Sequence, residues 1–448
     1  MAQILVLGAG FVAGPLVDYL ADIPNNQVII ASQFIDESQK LVKGRDRVSA
    51  ITVDVNNVPA LYKAVAESDI VVSLVPYQFH TQIAEICVEQ GKHLVTASYE
   101  SHGMKALHDK ALARGVTLLN EIGLDPGIDH LSAMKMINNF RADGYRIESF
   151  ISWCGGLPAP SANNNPLGYK FAWAPKGVLL AVCNDALFLR DNEIITKSHE
   201  ELLQKLADIT VSKAMILQGY PNRDSIHYQK IYGLKGIKNL VRGTLRYPGF
   251  AKAFQWLKTL NLFDDLPIDS QKRELLSWAE ILVKNSGLSL KQVKDDLSQD
   301  DNLATTVNWL GLLNEIPIVD PQLSTLDALC DLLLSKLSYQ DSETDMVALL
   351  HKFVVVSPSG EYECHQSSLI REGTVGGYSA MAQTVGLPAA IATQLLLNGS
   401  IRERGCVLPV NPTTYNPILN KLEEKGIVCK EEQIPLKPNE FIPEIYQI

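Results

Sequence analysis

The residues whose spacing points most directly to chemistry stand at the start of the chain, in the sequence MAQILVLGAGFVAG. Gly8, Gly10 and Ala13 directly follow the apolar run 4–7 and have the spacing G-x-G-x-x-A. In such a turn the first glycine permits a tight change of direction, and the second lets a pyrophosphate approach the backbone. The small third residue lets a helix pack closely on the strand. The spacing predicts a dinucleotide site at the positive end of the following helix, and a plain strand-to-helix turn is the alternative.

Three arginines form a second candidate group further along the chain. Arg223 belongs to the sequence YPNRDS, and Arg242 and Arg246 belong to RGTLRY, all within 25 residues of one another. Guanidinium groups bind carboxylates through two parallel hydrogen bonds. Each arginine alone would be interpreted as a surface ion pair, whereas the cluster predicts a site for a ligand with several carboxylates.

Polar and aromatic residues also follow the fourth and fifth predicted strands. Tyr77 and His80 come after the fourth strand, and Ser98 and Tyr99 after the fifth. Ligands of open parallel sheets bind in the crevice outside the carboxyl ends of the strands. We therefore expect these side chains to line that crevice.

The loop NEIGLDPGIDH, residues 120–130, holds two glycines, a proline and three carboxylates. Asp125, which precedes Pro126, is placed to face the crevice. Asp129 is expected to cap the following helix, and His130 is expected in the first helical turn.

Two positions bear on the choice of cofactor. An acidic residue after the second strand would hydrogen-bond the ribose of NAD, and an arginine would suit the 2′-phosphate of NADP. The chain has Ser32 and Gln33 there, which leaves the choice open. Asp54, after the third strand, either contacts the adenine or caps a turn. Three basic residues slightly further on are interpreted as solvated helix residues, with a phosphate contact as the alternative: Lys40, Lys43 and Arg45.

These residues are positioned by an α/β fold. The apolar segments of the first domain alternate with helical stretches, which predicts a doubly wound parallel sheet of the Rossmann type. Its predicted strands are 4–7, 28–31, 50–53, 70–75, 94–97 and 116–119. From residue 147 a strand with one solvated face starts a mixed α/β substrate domain, and a loop from Cys154 to Trp173 is expected to line the cleft. The segment 250–339 has helical periodicity and is predicted to be an all-α insertion.

The predicted domains are discontinuous. The dinucleotide-binding domain covers 1–128 and is completed by about 385–448. The substrate domain covers 129–249 and 340–384, and Ser379 is a candidate N-cap of a buried helix that ends at Gly399.

Composition limits the classes of partner. The 448 residues carry a net charge of −10, which disfavours nucleic acid and anionic membranes as partners. The seven cysteines are scattered singly, which argues against a zinc site and a disulfide framework and suits a reducing, cytoplasmic location. No signal peptide is apparent, and no run approaches the roughly 18 apolar residues of a membrane span.

Taken together, the motifs resemble those of the saccharopine reductase family, also called the saccharopine dehydrogenases (NADP, L-glutamate-forming) of the aminoadipate lysine pathway. The resemblance extends over nearly the whole chain. It rests on the ordered segments GAGFVAGPL, VVSLVPYQFH, NEIGLDPGIDH, CGGLPAP, NPLGYKF, KGVLLA, YPNRDS, RGTLRY and GGYSAMAQTVGLPAAIAT. The family has a Rossmann domain, a mixed substrate domain and a helical insertion, in agreement with the pattern above. The resemblance also implies a homodimer.

The resemblance implies a set of site residues. Those for the cofactor are Gly8, Gly10, Phe11, Val12, Ser32, Gln33, Asp54, Val55, Val75, Leu124, Asp125 and Pro126. Those for a saccharopine-like substrate are Ser98, Tyr99, Asp125, Cys154, Arg223, Thr244, Leu245 and Arg246. The family commonly has an arginine where this chain has Gln33, so NAD is kept beside NADP as a possible cofactor.

The implied reaction is the interconversion of saccharopine with glutamate and 2-aminoadipate 6-semialdehyde through an imine and hydride transfer. Asp125 and Tyr99 are the candidates for moving protons. One alternative is a related imine reductase of the carboxynorspermidine type, whose polyamine product would require carboxylates instead of the arginines. Another is a dinucleotide-binding sensor without catalysis. The physiological direction of the reaction stays open.

Overall fold

The computed structural model describes residues 1–269, 272–434 and 443–448. The chain forms two compact units, each built from separated segments. The first comprises Met1–Arg146 and Gly377–Glu431, and the second comprises Ile147–Gly376 and Glu432–Ile448.

The strands, in chain order, are β1 (Ala2–Leu7), β2 (Asn26–Ser32), β3 (Val48–Thr52), β4 (Ile70–Ser73), β5 (His93–Thr96), β6 (Thr117–Leu119), β7 (Arg146–Pro158), β8 (Ala186–Arg190), β9 (Glu193–Lys197), β10 (Ala207–Ser212), β11 (Met215–Pro221), β12 (Asn239–Arg246), β13 (Asp345–Val356), β14 (Tyr362–Glu372), β15 (Gly405–Val407) and β16 (Lys430–Ile434).

The helices are α1 (Ala13–Ala21), α2 (Ile35–Val42), α3 (Val58–Ala66), α4 (His80–Gln90), α5 (His102–Ala106), α6 (His108–Ala113), α7 (Ile128–Ala142), α8 (Pro175–Ala181), α9 (His227–Ile231), α10 (Phe250–Thr259), α11 (Trp278–Ser286), α12 (Leu290–Leu297), α13 (Asp301–Leu310), α14 (Thr325–Leu337), α15 (Ala380–Leu397) and α16 (Pro412–Glu424). Short 3-10 helices cover Tyr77–Phe79, Pro160–Ala162 and Pro443–Tyr446.

The first unit contains a seven-stranded sheet in the order β15-β6-β5-β4-β1-β2-β3, and all of these neighbours pair in parallel. Helices α3 to α6 bury their apolar side chains against Leu5, Leu7 and Val71 of the sheet. Strand β1 lies between β2 and β4, so the strand order reverses at its carboxyl end. The structure confirms the doubly wound parallel sheet of the Rossmann type.

The carboxyl-terminal part of the chain completes this unit. Strand β15 pairs with β6, and α15 packs on α1. The two helices approach closely at Gly386, where an added Cβ would lie 2.7 Å from the carbonyl oxygen of Val12. The Ser379 side chain accepts a hydrogen bond from the amide of Ala382, which confirms it as the N-cap of α15.

The structure corrects one expectation about apolar runs. Helix α15 has 18 residues with a mean hydropathy of 1.4, so by length and composition it is apolar enough to cross a membrane. Its 18-residue window is 72% buried within the protein, in part because it packs on α1. An apolar helix of this kind is also what a helix in a protein core requires.

The second unit contains a mixed sheet of nine strands. Its main order is β10-β11-β12-β7-β13-β14-β16, with β8 paired to β12 and β9. Strands β12 and β7 are parallel, whereas β10, β11 and β12 pair antiparallel with one another in sequence. The observed sheet confirms the mixed α/β character predicted for this part of the chain.

Helices α10 to α14 account for most of the segment that was predicted as an all-α insertion. Serine caps begin several of them: Ser277 and Glu280 form a capping box at α11, and Ser289 and Gln292 form one at α12. Their apolar faces join one cluster with Tyr169 and Tyr220 of the same unit.

The unit boundaries differ from the predicted domain boundaries at three places. Helix α7 belongs to the first unit, although residue 129 was predicted to start the substrate domain. The return to the first unit comes at Gly377 instead of about residue 385, and residues from Glu432 belong to the second unit. The helical insertion lies within the second unit. Periodicity locates elements, but their grouping depends on packing between segments that are far apart in sequence.

Glycines on neighbouring strands make room for one large side chain in the second unit. Trp153 of β7 is fully buried, and an added Cβ at Gly243 of β12 would lie 2.0 Å from its ring. At Gly219 of β11 the corresponding distance is 2.9 Å. The indole thus fills the volume that side chains at these two positions would occupy.

This packing predicts a coupled effect of two substitutions. Gly243→Ala should destabilise the second unit by about 1–3 kcal/mol, because overpacking a filled core forces side chains and backbone to shift. In a Trp153→Leu background the same change should cost clearly less. Urea unfolding of the four proteins of this double-mutant cycle gives the coupling energy. Equal costs in the two backgrounds would contradict the packing described here.

Candidate active site

The turn after β1 has the conformation that its glycines predict. Gly8 has a φ of 105°, and an added Cβ there would lie 3.1 Å from the carbonyl carbon of Leu74. Its amide donates a hydrogen bond to the carbonyl of Ala31, 2.8 Å away. At Gly10 an added Cβ would meet nothing within 4 Å. Gly8 is therefore required by the fold, whereas Gly10 borders open space in which a ligand has room.

The start of α1 is chemically suited to an anion. Val12 is the N-cap residue, no side chain caps the helix, and its first turn holds no acidic residue. The amide of Ala13 donates to the carbonyl of Gly10 at 3.1 Å, and no side chain occupies the positive end of the helix dipole, where an external anion can accept from the amides of the first turn. Ala13 is fully buried, as close packing of the helix on the strand requires. Together with the open space at Gly10, these features fit the pyrophosphate of a dinucleotide.

The ends of β2 and β3 carry the residues that were considered for cofactor choice. Ser32 is buried, and its side chain accepts a hydrogen bond from the amide of Phe34 at 3.1 Å. Gln33 is exposed. Asp54 is exposed and accepts hydrogen bonds from the amide of Asn56 at 2.9 Å and from its side chain at 3.0 Å, so it caps a turn.

Neighbouring residues extend this edge of the sheet. Val55 is half-buried, and its carbonyl accepts a hydrogen bond from Gln82. Val75 stands close to the glycine turn, because its amide nitrogen would be 3.4 Å from a Cβ added at Gly8. Phe11 is 59% exposed at the same turn. The structure thus brings Gly8 and Val75 together, as expected for residues along one dinucleotide.

The guanidinium of Arg45 is already bonded to other groups of the protein. It forms an ion pair with Asp18, and it donates hydrogen bonds to the hydroxyl of Tyr378 and the carbonyl of Leu41. A phosphate contact, which the sequence left open as an alternative, would require this network to break. Lys40 and Lys43 are exposed, as expected for solvated helix residues.

A buried network of neutral side chains holds one of the predicted substrate residues. His80, the first residue of α4, has its Nδ1 2.9 Å from Ser73 Oγ, and its Nε2 lies 2.8 Å from Ser98 Oγ. Thr96 Oγ1 lies 3.2 Å from the same Nε2. Burial lowers the pKa of His80 to about 4. The imidazole is therefore neutral at any ordinary working pH.

The two candidates for proton transfer contact each other. The hydroxyl of Tyr99 donates a hydrogen bond to Asp125 Oδ1 at 3.1 Å, and both residues are half-buried. Leu124 and Pro126 flank the carboxylate and are buried. The bonded pair can hold or pass on a proton at the edge of the sheet where β5 ends.

The loop that carries Asp125 is a compact turn. The amide of Gly123 donates to the carbonyl of Pro126, and a Cβ at Gly127 would lie 1.9 Å from the carbonyl oxygen of Gly123. Asp129 was expected to cap α7, but the N-cap position is occupied by Gly127 and Asp129 lies in the first turn, where its Oδ1 accepts a hydrogen bond from the amide of Gly127 at 2.5 Å. This turn fixes the position of the Asp125 backbone.

Sequence reasoning missed the partner of His130. This buried residue lies in the first turn of α7 as predicted, and its Nε2 is 2.8 Å from Glu121 Oε2. Glu121 has a φ of 57°, a left-handed conformation that is costly for a residue with a side chain. The unusual number of carboxylates in the loop was the available signal, but their partners depend on the turn.

In the second unit, the neighbouring strands β7 and β12 bring predicted substrate residues onto one face, next to Tyr220 of β11. Thr244 of β12 is in register with Cys154 of β7 and with Tyr220 of β11. Alternation along β12 places Arg242 and Arg246 on the same face as Thr244. Cys154 was expected to start a loop, but β7 continues to Pro158. Gly155 allows this continuation, because a Cβ there would lie 2.7 Å from the carbonyl oxygen of Leu245.

Arg246 is the most unusual cation of this face. It is only 6% exposed, and its guanidinium lies 5.1 Å from the ring centroid of Tyr169 and 4.9 Å from that of Phe250. It donates one hydrogen bond, to the carbonyl of Leu245, and its Nε has no acceptor. No acidic side chain of the described residues forms an ion pair with it. Burying a charge costs free energy unless the charge is paired, so a bound anion would stabilise this guanidinium.

The other predicted residues of this unit have different environments. Arg223 is exposed and has a φ of 51°, and its carbonyl accepts a hydrogen bond from the amide of Leu187. Arg242 is buried, with its guanidinium 4.0 Å from the ring centroid of Tyr228. The side chain of Leu245 belongs to the apolar cluster on the opposite face of the sheet from Thr244. The side chain of Leu245 therefore points away from Thr244, and its contact with a substrate stays a prediction.

The fold and the glycine turn define a dinucleotide-binding protein of the Rossmann type with a second α/β unit. Residues 4–119 match the saccharopine dehydrogenase NADP binding domain, and residues 123–427 match the saccharopine dehydrogenase C-terminal domain. The chain therefore belongs to the saccharopine dehydrogenase family.

Individual relatives agree with this membership. The chain is 38% identical to saccharopine dehydrogenase [NADP(+), L-glutamate-forming] of Pyricularia oryzae, with 96% of this chain and 99% of that protein covered. The structure of apo saccharopine dehydrogenase (L-Glu forming) from Saccharomyces cerevisiae matches with a TM-score of 0.86 and 37% identity, covering 97% of this chain and 100% of that one. Mouse mitochondrial alpha-aminoadipic semialdehyde synthase is 36% identical over 95% of this chain and 47% of its own length.

The buried network around His80 predicts a pH dependence of stability. The ordinary imidazole pKa is 6.5, and that of folded His80 is about 4. Below pH 6.5 the unfolded chain therefore binds a proton that the folded chain does not, and stability falls as the pH decreases towards 4. By pH 5 this residue should account for about 2 kcal/mol of lost stability.

Urea unfolding at pH 7.5 and pH 5 measures this effect. His80→Gln should lose less stability between the two pH values than the unchanged protein. His102→Gln, a substitution of an exposed histidine, should keep the full dependence. The same pH dependence in all three proteins would contradict the assignment to His80.

Proposed function

We propose that this chain catalyses the NADP-dependent interconversion of saccharopine with glutamate and 2-aminoadipate 6-semialdehyde, through an imine and hydride transfer. Relatives of nearly equal length carry the name of this NADP-dependent, L-glutamate-forming dehydrogenase. The observation on the molecule that carries the proposal is Arg246, a buried guanidinium without an acidic partner among the described residues.

The chemistry of the substrate fits that observation. Saccharopine has three carboxylates, and a carboxylate can bind a guanidinium through two parallel hydrogen bonds. Arg246 and Arg223 are proposed to bind them, with Cys154, Thr244 and the main chain of Leu245 as further contacts. A polyamine substrate would bring positive charge to a buried arginine, so the carboxynorspermidine-type alternative is disfavoured.

The first unit is proposed to hold the cofactor. The residues that fit this role are Gly8, Gly10, Phe11, Val12, Ser32, Gln33, Asp54, Val55, Val75, Leu124, Asp125 and Pro126. The amide groups at the start of α1 would bind the pyrophosphate, because no side chain caps them. When it is bound, the nicotinamide supplies the hydride for imine reduction or accepts it in the reverse direction.

Tyr99 and Asp125 are proposed to handle the proton at the substrate nitrogen. The Tyr99 hydroxyl donates to Asp125 Oδ1, which orients the carboxylate. During saccharopine oxidation the carboxylate would accept the proton of the secondary amine, and in the reductive direction it would return it. Ser98 is proposed to bind the same substrate beside this pair.

Two further expectations accompany this function. The apolar helices and the family make a homodimer the expected assembly. The seven cysteines are free thiols, which supports a reducing compartment such as the cytoplasm.

Substitution of Arg246 tests the role of the buried guanidinium. Arg246→Gln should raise KM for saccharopine by roughly 100-fold, because a desolvated carboxylate would lose its charged partner at a cost of about 3 kcal/mol. KM for NADP should change less than about twofold, because the proposed cofactor residues are all in the first unit. Steady-state kinetics of saccharopine oxidation measure both constants.

A matched variant controls for loss of charge. Arg273→Gln removes an exposed arginine of the same unit and should leave both constants unchanged. Circular dichroism checks that Arg246→Gln is folded. A folded Arg246→Gln enzyme with normal affinity for saccharopine would refute the carboxylate site.

Substitution of Gln33 tests whether the end of β2 lies next to the 2′-phosphate of NADP. Gln33→Arg should raise the ratio of kcat/KM for NADP over NAD by roughly tenfold, because a guanidinium at the end of β2 can pair with the 2′-phosphate. Initial rates of saccharopine oxidation with each cofactor measure the ratio. Gln299→Arg, which adds the same charge at an exposed position of the second unit, should leave it unchanged. An unaltered ratio in Gln33→Arg would place the phosphate elsewhere.

A further inference from the structure

A network of uncharged side chains joins the ends of β4 and β5. Ser73 is the last residue of β4, Thr96 is the last residue of β5, and His80 begins α4. The imidazole of His80 lies between them, with Nδ1 2.9 Å from Ser73 Oγ and Nε2 3.2 Å from Thr96 Oγ1. Ser98 Oγ, at 2.8 Å, is the nearest oxygen to Nε2. The network therefore runs from a buried strand end to a residue of the proposed substrate site.

The network is buried at one end and partly exposed to solvent at the other. Ser73, His80 and Thr96 are at most 3% exposed, whereas Ser98 is only half-buried. Among the described residues, the imidazole forms hydrogen bonds with the hydroxyls of Ser73, Thr96 and Ser98, and no acidic or basic side chain pairs with it. Ser73 holds the ring through Nδ1, and Nε2 forms a hydrogen bond with the hydroxyl of Ser98, which is the accessible member of the network.

A neutral imidazole restricts what that hydroxyl can do. If Nδ1 carries the proton, it donates to Ser73, and Nε2 accepts the hydroxyl hydrogen of Ser98, which leaves the Ser98 oxygen as an acceptor. If Nε2 carries the proton, it donates to Ser98 Oγ, and the Ser98 hydrogen is directed outward. In each tautomer the Ser98 contact with Nε2, at 2.8 Å, is shorter than that of Thr96, at 3.2 Å, so it sets the direction of the Ser98 hydroxyl and its role as acceptor or donor. Without the imidazole it would rotate among several staggered positions.

We propose that His80 is a positioning residue for the reaction, which acts through Ser98 by fixing the direction of the hydroxyl that binds saccharopine. The proposal rests on the proposed function, because Ser98 is assigned to the substrate there. Orientation of a binding group before the substrate arrives lowers the entropic cost of the productive complex. His80 itself need not touch the substrate or exchange a proton with it.

Two amide substitutions separate the two ends of the imidazole. In His80→Gln the side-chain amide reaches the position of Nε2, so the bond to Ser98 can be restored. In His80→Asn the shorter amide reaches the position of Nδ1, so only the bond to Ser73 can be restored. Both variants place a polar amide of the same kind in the same buried site, which makes each the control of the other.

The expected result is a split between the variants in kcat/KM for saccharopine. His80→Asn should lose about five- to tenfold, whereas His80→Gln should stay within about threefold of the unchanged enzyme, because one charge-neutral hydrogen bond is worth about 1–1.5 kcal/mol. Binding of NADPH, measured by fluorescence titration, should change less than about twofold in both. In a Ser98→Ala background, the two substitutions should have no further effect on kcat/KM, because the group they act through is gone.

Each other outcome contradicts the proposal. Equal losses for the two variants, or a further loss in the Ser98→Ala background, would mean that His80 serves the structure of the first unit only. A Ser98→Ala enzyme with full activity would remove Ser98 from the site and the proposal with it. Failure of the unsubstituted enzyme to oxidise NADPH when glutamate and the semialdehyde are both present would instead refute the proposed function itself.

Discussion

The parallel pairing of β1 with both β2 and β4 is the constraint on which the first unit depends. The other neighbours also pair in parallel, so all strands of the sheet run the same way and the residues at their carboxyl ends meet at one edge. Gly8, Ser32, Val75 and Ser98 are far apart in sequence, yet each lies at or just after the carboxyl end of one of these strands. The chemistry of the unit is concentrated there because backbone pairing leaves no other common edge.

In the second unit an electrostatic requirement takes the place of this topological one. Arg246 is buried beside two aromatic rings that contact each other, and it pairs with no acidic group of the described residues. Attraction to the faces of the rings offsets part of the cost of burying the charge, and a bound carboxylate would offset much of the rest. Such an arrangement would let a chain with a net charge of −10 bind an anionic substrate.

The sequence predicted the elements better than their contacts. The apolar run and the glycine spacing gave β1, the turn and α1, because these depend on neighbouring residues. The partner of His130 and the aromatic rings around Arg246 could not be predicted, since each comes from a separate segment brought near by folding. Cys154 was placed in a loop because glycine and proline follow it, whereas the glycine there serves the close approach of two strands.

The late completion of the first unit has a consequence for synthesis on the ribosome. Helix α15 and strand β15 belong to this unit, but all of Ile147–Gly376 is translated before them. Until residue 407 emerges, the nascent chain exposes the apolar surface of α1 and an unpaired β6 edge. Such surfaces are sites of aggregation and of chaperone binding during folding. The nucleotide-binding half, although it begins the chain, can reach its native state only after most of the polypeptide has left the exit tunnel.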